Sequence, residues 1–262
     1  MATGTEPAVE VIDLAQTPLR ELNARLHAAA SEADAPRRWR VQNPGGRHAI
    51  AVGLDAPFEI EIEGHVGYYC AGMNQPALVR VRGNCGVGVA ENIMSGSVIA
   101  EGNASQSAGA TGRGGLLVIH GDASSRCAIS MKGADVVVRG SVGHMSAFMA
   151  QKGCLVVCGD ADEALGDSLY EVRLYVRGGV AGLGADCVEK EMRDEHVAQV
   201  EGLLERAGIA GVDAAGFRRY GSARRLYNFH VDNAGEYCCA SRPSSTATRS
   251  PRSRGPPARG ST

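Results

Sequence analysis

The sequence predicts a mainly β protein, a right-handed single-stranded parallel β-helix of about seven 19-residue coils with small helical caps at both ends. Three observations carry this. One glycine recurs every 19 residues, at Gly64, Gly83, Gly102, Gly121, Gly140, Gly159 and Gly178, and units too short to bury a core alone must stack on their neighbours. Four and two residues before each glycine stand aliphatic residues: Ile60, Val79, Val98, Leu117, Val136, Leu155 and Leu174, then Ile62, Val81, Ala100, Ile119, Val138, Val157 and Val176. Positions two apart face the same way on an extended chain. Two residues after the glycine the column is small and apolar (Val66, Cys85, Ala104, Ala123, Val142, Ala161, Val180), and seven after it holds only Ala or Gly (Ala71, Ala90, Gly109, Ala128, Ala147, Gly166, Ala185). No helical 3.6-residue period runs through this region.

Each coil is expected to run as a strand ending at the glycine, a corner the glycine permits, and further short strands. On this reading valine at Gly121 or Gly140 fails because a β-branched residue cannot take left-handed dihedrals. The residue after the glycine is mostly polar (His65, Asn84, Asn103, Asp122, Ser141, Asp160), which suits a corner where a side chain bonds its own backbone. The residue before it begins Glu63, Arg82, Glu101, so in-register coils should pair opposite charges across adjacent strands. At roughly 4.8 Å per coil the rod is about 34 Å long.

Taken in order, residues 1–57 form a lead-in. Residues 1–12 look frayed, and Thr17-Pro18 opens a helix over Leu19, Leu22 and Leu26 that should run to about Ala30. Arg37 to Gly46 is basic and turn-rich, while His48–Val52 and Phe58–Ile62 alternate as strands. The coils fill 58–186. A C-terminal cap follows over 187–237, with a helix through His196–Arg206 that puts Val197, Val200, Leu203 and Leu204 on one face and stops at Gly208. Asp213 should cap a further short helix. Residues 238–262 are rich in Ser, Thr, Pro and Arg and carry no acid, a composition that cannot bury a core and is expected to be disordered.

The net charge is −2, which argues against a nucleic-acid partner, and no apolar run is long enough to span a membrane, so a cytoplasmic protein is expected. None of the eight cysteines forms a CxxC pair; reduced thiols are expected, including Cys154 and Cys158. His65, His120 and His144 occupy different columns, so stacking does not gather them into a ligand set. Asp122 and Asp160 share a column two coils apart, about 10 Å, too far for a retaining carboxylate pair. The glycine-rich run 102–115 lacks the lysine and helix of a phosphate loop, and Gly83–Gly88 has no βαβ unit around it. No catalytic, cofactor-binding or metal-binding residue is therefore assigned. One outward column does stand out. Three residues before each glycine, Glu61 and Arg80 give way to Ile99, Val118, Val137 and Val156, an apolar strip that something must cover. The candidates are the chain's own helices, around Leu22 or Leu203, or a partner subunit.

The runs Gly64–Met73, Gly83–Glu91, Gly140–His144 and Gly166-Asp167 resemble the GXGXG domain, the C-terminal β-helix of the glutamate synthase large subunit, and Arg219–Phe229 looks like the tail of its stand-alone forms. The resemblance covers about residues 50–235, and a free-standing chain of this kind is most similar to the B subunit of N-methylglutamate synthase (methylamine–glutamate N-methyltransferase). It implies a structural subunit that holds an amidotransferase-like partner and a glutamate-synthase-like barrel partner together in a hetero-oligomer, with FMN and iron–sulfur clusters in the barrel partner and none on this chain. The implied reaction is methylamine plus L-glutamate giving N-methyl-L-glutamate and ammonia. The alternatives are a glutamate synthase subunit serving glutamine-dependent amide transfer, the related subunit of formylmethanofuran dehydrogenase, or an independent β-helix enzyme acting on carbohydrate.

Overall fold

A computed structural model describes residues 9–32, 35 and 37–226; the tail at 238–262 lies outside the described residues. The chain runs β1 (Val9–Asp13), α1 (Leu19–Ala30), β2 (Arg38–Gln42), β3 (Glu59–Glu63), β4 (Leu78–Val81), β5 (Ser97–Ala100), β6 (Leu116–Ile119), β7 (Lys132–Val138), β8 (Lys152–Val157), β9 (Arg173–Val176), β10 (Cys187–Lys190), α2 (Asp194–Arg206), a 3-10 turn (Ala214–Gly216) and β11 (Arg218–Ser222). The strands β1 to β9 pair in parallel and in sequence order, and β11 then β10 close the sheet antiparallel. This is a parallel β-solenoid of about seven turns, with two α-helices among the described residues. From β3 onward the pairing carries the 19-residue register, Ile60 on Val79 on Val98 on Leu117 on Val136 on Leu155 on Leu174. A second parallel ladder links Val66, Cys85, Ala104, Ala123, Val142, Ala161 and Val180. Both aliphatic columns before the glycine point into the bore and are buried, as their spacing requires.

The glycine column is stacked, but for a different reason from the one expected. Of the seven glycines only Gly64 has a left-handed φ, +136°. From Gly102 on, each N–H donates to the carbonyl of the glycine one coil before, at 2.9–3.1 Å. A Cβ on Gly140 would sit 2.7 Å from the Gly121 oxygen and 2.2 Å from Asp122 Oδ1. Close approach of successive backbones, not backbone dihedral, excludes a side chain here. The left-handed corner lies seven residues on, where Ala71, Ala90, Ala128 and Ala147 have φ of 52–58° and Gly109 and Gly166 have 67°. These positions are fully or partly buried as well as left-handed, which together restrict them to the smallest residues.

The polar column after the glycine also departs from expectation. Its side chains bond the next coil rather than their own backbone. The N–H of Asn84 donates to His65 Nδ1, that of Asn103 to Asn84 Oδ1, and that of Asp122 to Asn103 Oδ1. The series continues from Ser141 to Asp122, Asp160 to Ser141, and Gly179 to Asp160, all at 2.6–3.0 Å.

The lead-in holds more regular structure than its sequence suggests. Residues 9–13 form β1, and Arg38–Gln42, within the stretch read as turn-rich, form β2. His48–Val52 is not a strand: Ala49 and Ala51 have φ of 55° and 56°, so this stretch is a corner. Helix α1 follows the expected span and buries Leu22, Leu26 and Ala29 against the first corner. The Asn23 amide grips that corner, donating to the Ala49 carbonyl and accepting from the Ala51 N–H. Asp213 caps the 3-10 turn, accepting from Ala215 N–H at 2.9 Å. Gly208, φ +68°, ends α2.

Candidate docking surface

Outward-facing side chains divide the sheet into two halves. Over β2–β4, and at Glu101 just after β5, they are charged and interlocked. Arg38 pairs with Glu59 at 2.9 Å, Arg40 with Glu63 at 3.3 Å, Arg82 with Glu61 at 2.6 Å and with Glu101 at 3.4 Å, and Arg80 with Glu101. The closest pairs run diagonally between columns, so the charge pairing anticipated along one column is a lattice over three. A concavity of about 330 Å³ opens here, with Val9, Arg40, Glu61 and Arg80 in its lining. Each exposed pair is worth little, about 0–1 kcal/mol.

From Ile99 of β5 through Tyr175 of β9, the outward column three residues before the glycine is apolar and covered. Val118, Val137 and Val156 are fully buried and Ile99 partly so, packed with Val200, Leu203, Leu204, Ile209 and Phe217 of α2 and the turn after it. Helix α2 has its apolar face where the 3.6-residue period places it, and burying one such aliphatic side chain stabilises by about 1.5–3 kcal/mol. Gln199 fastens the rim, its Oε1 accepting from Tyr175 Oη at 2.7 Å and from Arg173 at 2.9 Å. Arg206 reaches Asp135 at 3.3 Å. The strip Ile99, Val118, Val137 and Val156 is therefore not an open docking surface: the chain's own C-terminal helix occupies it.

The other singled-out residues are dispersed. His65, Asp122 and Asp160 are rungs of the polar ladder. His120 stands 3.9 Å from Glu101, and His144 is exposed in a separate column. Cys154 is buried at the edge of the covered strip, its thiol pushed up to about 12 by burial and, next, by Asp135. Burial likewise raises Cys158, Cys70, Cys85, Cys127 and Cys187. A thiol so raised is protonated at neutral pH and is a poor nucleophile or ligand. Among the described residues no three or more His, Cys, Asp or Glu side chains are grouped to hold a metal ion. No described helix is long and apolar enough to cross a membrane.

Sequence reasoning missed His196, which is buried at the start of α2. Its Nδ1 accepts from the Arg193 N–H at 3.1 Å while its own N–H donates to the Arg193 carbonyl at 2.8 Å, a cap that its place three residues into the helix could have signalled. Burial first, then Arg219, lowers its pKa.

Compared with known proteins, the chain is 61% identical to Protein GlxC of Rhizobium meliloti (strain 1021) over 227 residues, which are 87% of this chain and 99% of that protein. No family model matches it, and no solved structure matches it.

Proposed function

The chain belongs to the GlxC family, and on that premise we propose that it is a structural, non-catalytic subunit of a glutamate-synthase-like complex. The finer reading is N-methylglutamate synthase, in which this chain holds an amidotransferase-like subunit and an FMN- and iron–sulfur-bearing barrel subunit together in the cytoplasm. One observation carries this. The segments that resemble the GXGXG domain lie on the glycine column and its left-handed corners, the parts of the coil that make it stack. Motif residues are thus spent on building a stiff coil. The partners in this reading meet faces other than the strip beneath α2.

The test is purification of the chain with its partners and mass-spectrometric identification of the product, with methylamine and ammonia competing. A flavin-coloured complex that yields N-methyl-L-glutamate supports the proposal. Glutamate as the only product would keep the scaffold role but replace the methylamine reading with amide transfer. A colourless solitary chain that cleaves carbohydrate would overturn both.

A further inference from the structure

We propose that a concavity at the C-terminal end of the solenoid, where β9, β10, β11 and the first turn of α2 meet, binds a small dicarboxylate. This inference does not rest on the function proposed above. The concavity has a volume of about 380 Å³, within the range of small-molecule sites. Five cations line it, Arg173, Lys190, Arg193, Arg219 and Arg224, against two carboxylates, Glu171 and Glu195.

Two of the cations are already matched. Arg224 holds both Glu171 oxygens at 3.0 Å, and Arg193 holds Glu191 at 2.9 Å. Arg173 donates to the neutral Gln199 oxygen, and Arg219 donates its Nε to the backbone carbonyl of Glu191. Neither of these, nor Lys190, has a carboxylate in ion-pair range among the described residues. A second observation is independent of the cavity. Lys190 and Arg219 are direct partners in the antiparallel register of β10 and β11, where like charges oppose folding. An anion seated between them would turn that repulsion into attraction. Burial first lowers the pKa of His196 nearby, and Arg219, Arg173 and Arg193 lower it further against an opposing Glu195, in keeping with net positive charge around the concavity.

Spacing selects the ligand class. β11 lies between β9 and β10, so Arg173 and Lys190 spring from strands about 10 Å apart. A short dicarboxylate offers one carboxylate to each side, and a guanidinium matches a carboxylate bidentately. Inorganic phosphate is too compact to engage both.

Isothermal titration of the full chain with succinate at low ionic strength tests this, with propionate, inorganic phosphate and a hexaglutamate peptide run in parallel. Succinate should bind saturably and at least tenfold more tightly than propionate or phosphate. Lys190→Gln and Arg173→Gln should each weaken it at least tenfold with circular dichroism unchanged. Lys190→Gln should also raise the urea midpoint, since it removes a like-charge pair. Absence of succinate binding, phosphate binding as tight as succinate, or affinity unchanged in both variants would each overturn the proposal. Binding of the peptide alone would overturn it in favour of an acidic segment of a partner protein.

Discussion

Three residues before each glycine, one outward column crosses the whole sheet and changes character halfway. Glu61 and Arg80 stand in an open charged lattice, whereas Val118, Val137 and Val156 lie buried beneath α2. From β4 on, the backbone beneath the two halves is the same: the 19-residue strand register, the glycine stack from Gly83 and the polar ladder all run through both. The inward columns decide that the chain coils, and the outward column alone decides what lies against the coil. A repeat protein can therefore change its partners without touching its fold, one outward position per coil.

The sharpest way to break the comparison is to put a charge of the first half into the second. Val137→Glu should destabilise the isolated chain by about 3–5 kcal/mol, because it leaves an unpaired carboxylate under α2. Urea denaturation measures this, and a variant as stable as the parent would mean that α2 does not seal the strip. Next comes the claim that the backbone is common to both halves. Gly102→Ala and Gly159→Ala each force a Cβ against the preceding coil, to 2.3 Å from Asn84 Oδ1 and 2.6 Å from Ser141 Oγ. Each should cost about 1–3 kcal/mol. Unequal costs, beyond about 1 kcal/mol, would show that the halves differ in their stacking too.

Arg82→Gln in the open lattice should change stability by less than about 1 kcal/mol, and less again in high salt. A larger loss would make the lattice a structural element rather than a solvated surface. The smallest effect is in pH dependence. Burial, Arg219, Arg173 and Arg193 lower the pKa of His196, and Glu195 opposes them. The folded state thus takes up a proton less readily than the unfolded chain, whose histidine titrates near 6.5. This contribution is complete above about pH 6.5 and is lost as the pH falls through the lower folded value. His196→Gln keeps an acceptor for the Arg193 N–H but does not titrate. The gap between parent and variant urea midpoints should narrow or reverse between pH 7.5 and 5, and a pH-independent gap would remove His196 from the balance.

Much of this was legible in the sequence because the coil repeats without insertion from Gly64 to Gly178, so each column could be read seven times. The lead-in was not. Pro44 lies where a coil further back would bring its own glycine, against Gly64, and β2 pairs with β3 at a spacing of 21, so the first coil falls outside the period. His48–Val52 alternates like a strand, yet its alanines are left-handed, and alternation alone cannot separate the two. The reason for the glycine column was also out of reach, since a clash with the preceding coil is a contact between residues 19 apart. For the covered strip the sequence supplied both the apolar column and the helix that fits it, but not their meeting. The cationic concavity was invisible because Arg173, Lys190 and Arg219 are far apart in the chain and only the antiparallel turn-back of β11 joins them.

The polar ladder has one more consequence, for length. Each rung offers its acceptor forward, to a coil later in the chain, so the ladder has a direction and each coil prepares the seat of the next. His65 opens it, and the last acceptor, Asp160, is taken by Gly179. Gly179 has no side chain to extend, so nothing is offered to a following coil, and the strand laid next against β9 is the antiparallel β11. The ladder thus behaves as a ruler with a blank final mark. Excising one whole unit of 19 residues would join rung to rung and leave a shorter rod, whereas a cut that is not a multiple of 19 would move the donor N–H groups out of register with their acceptors.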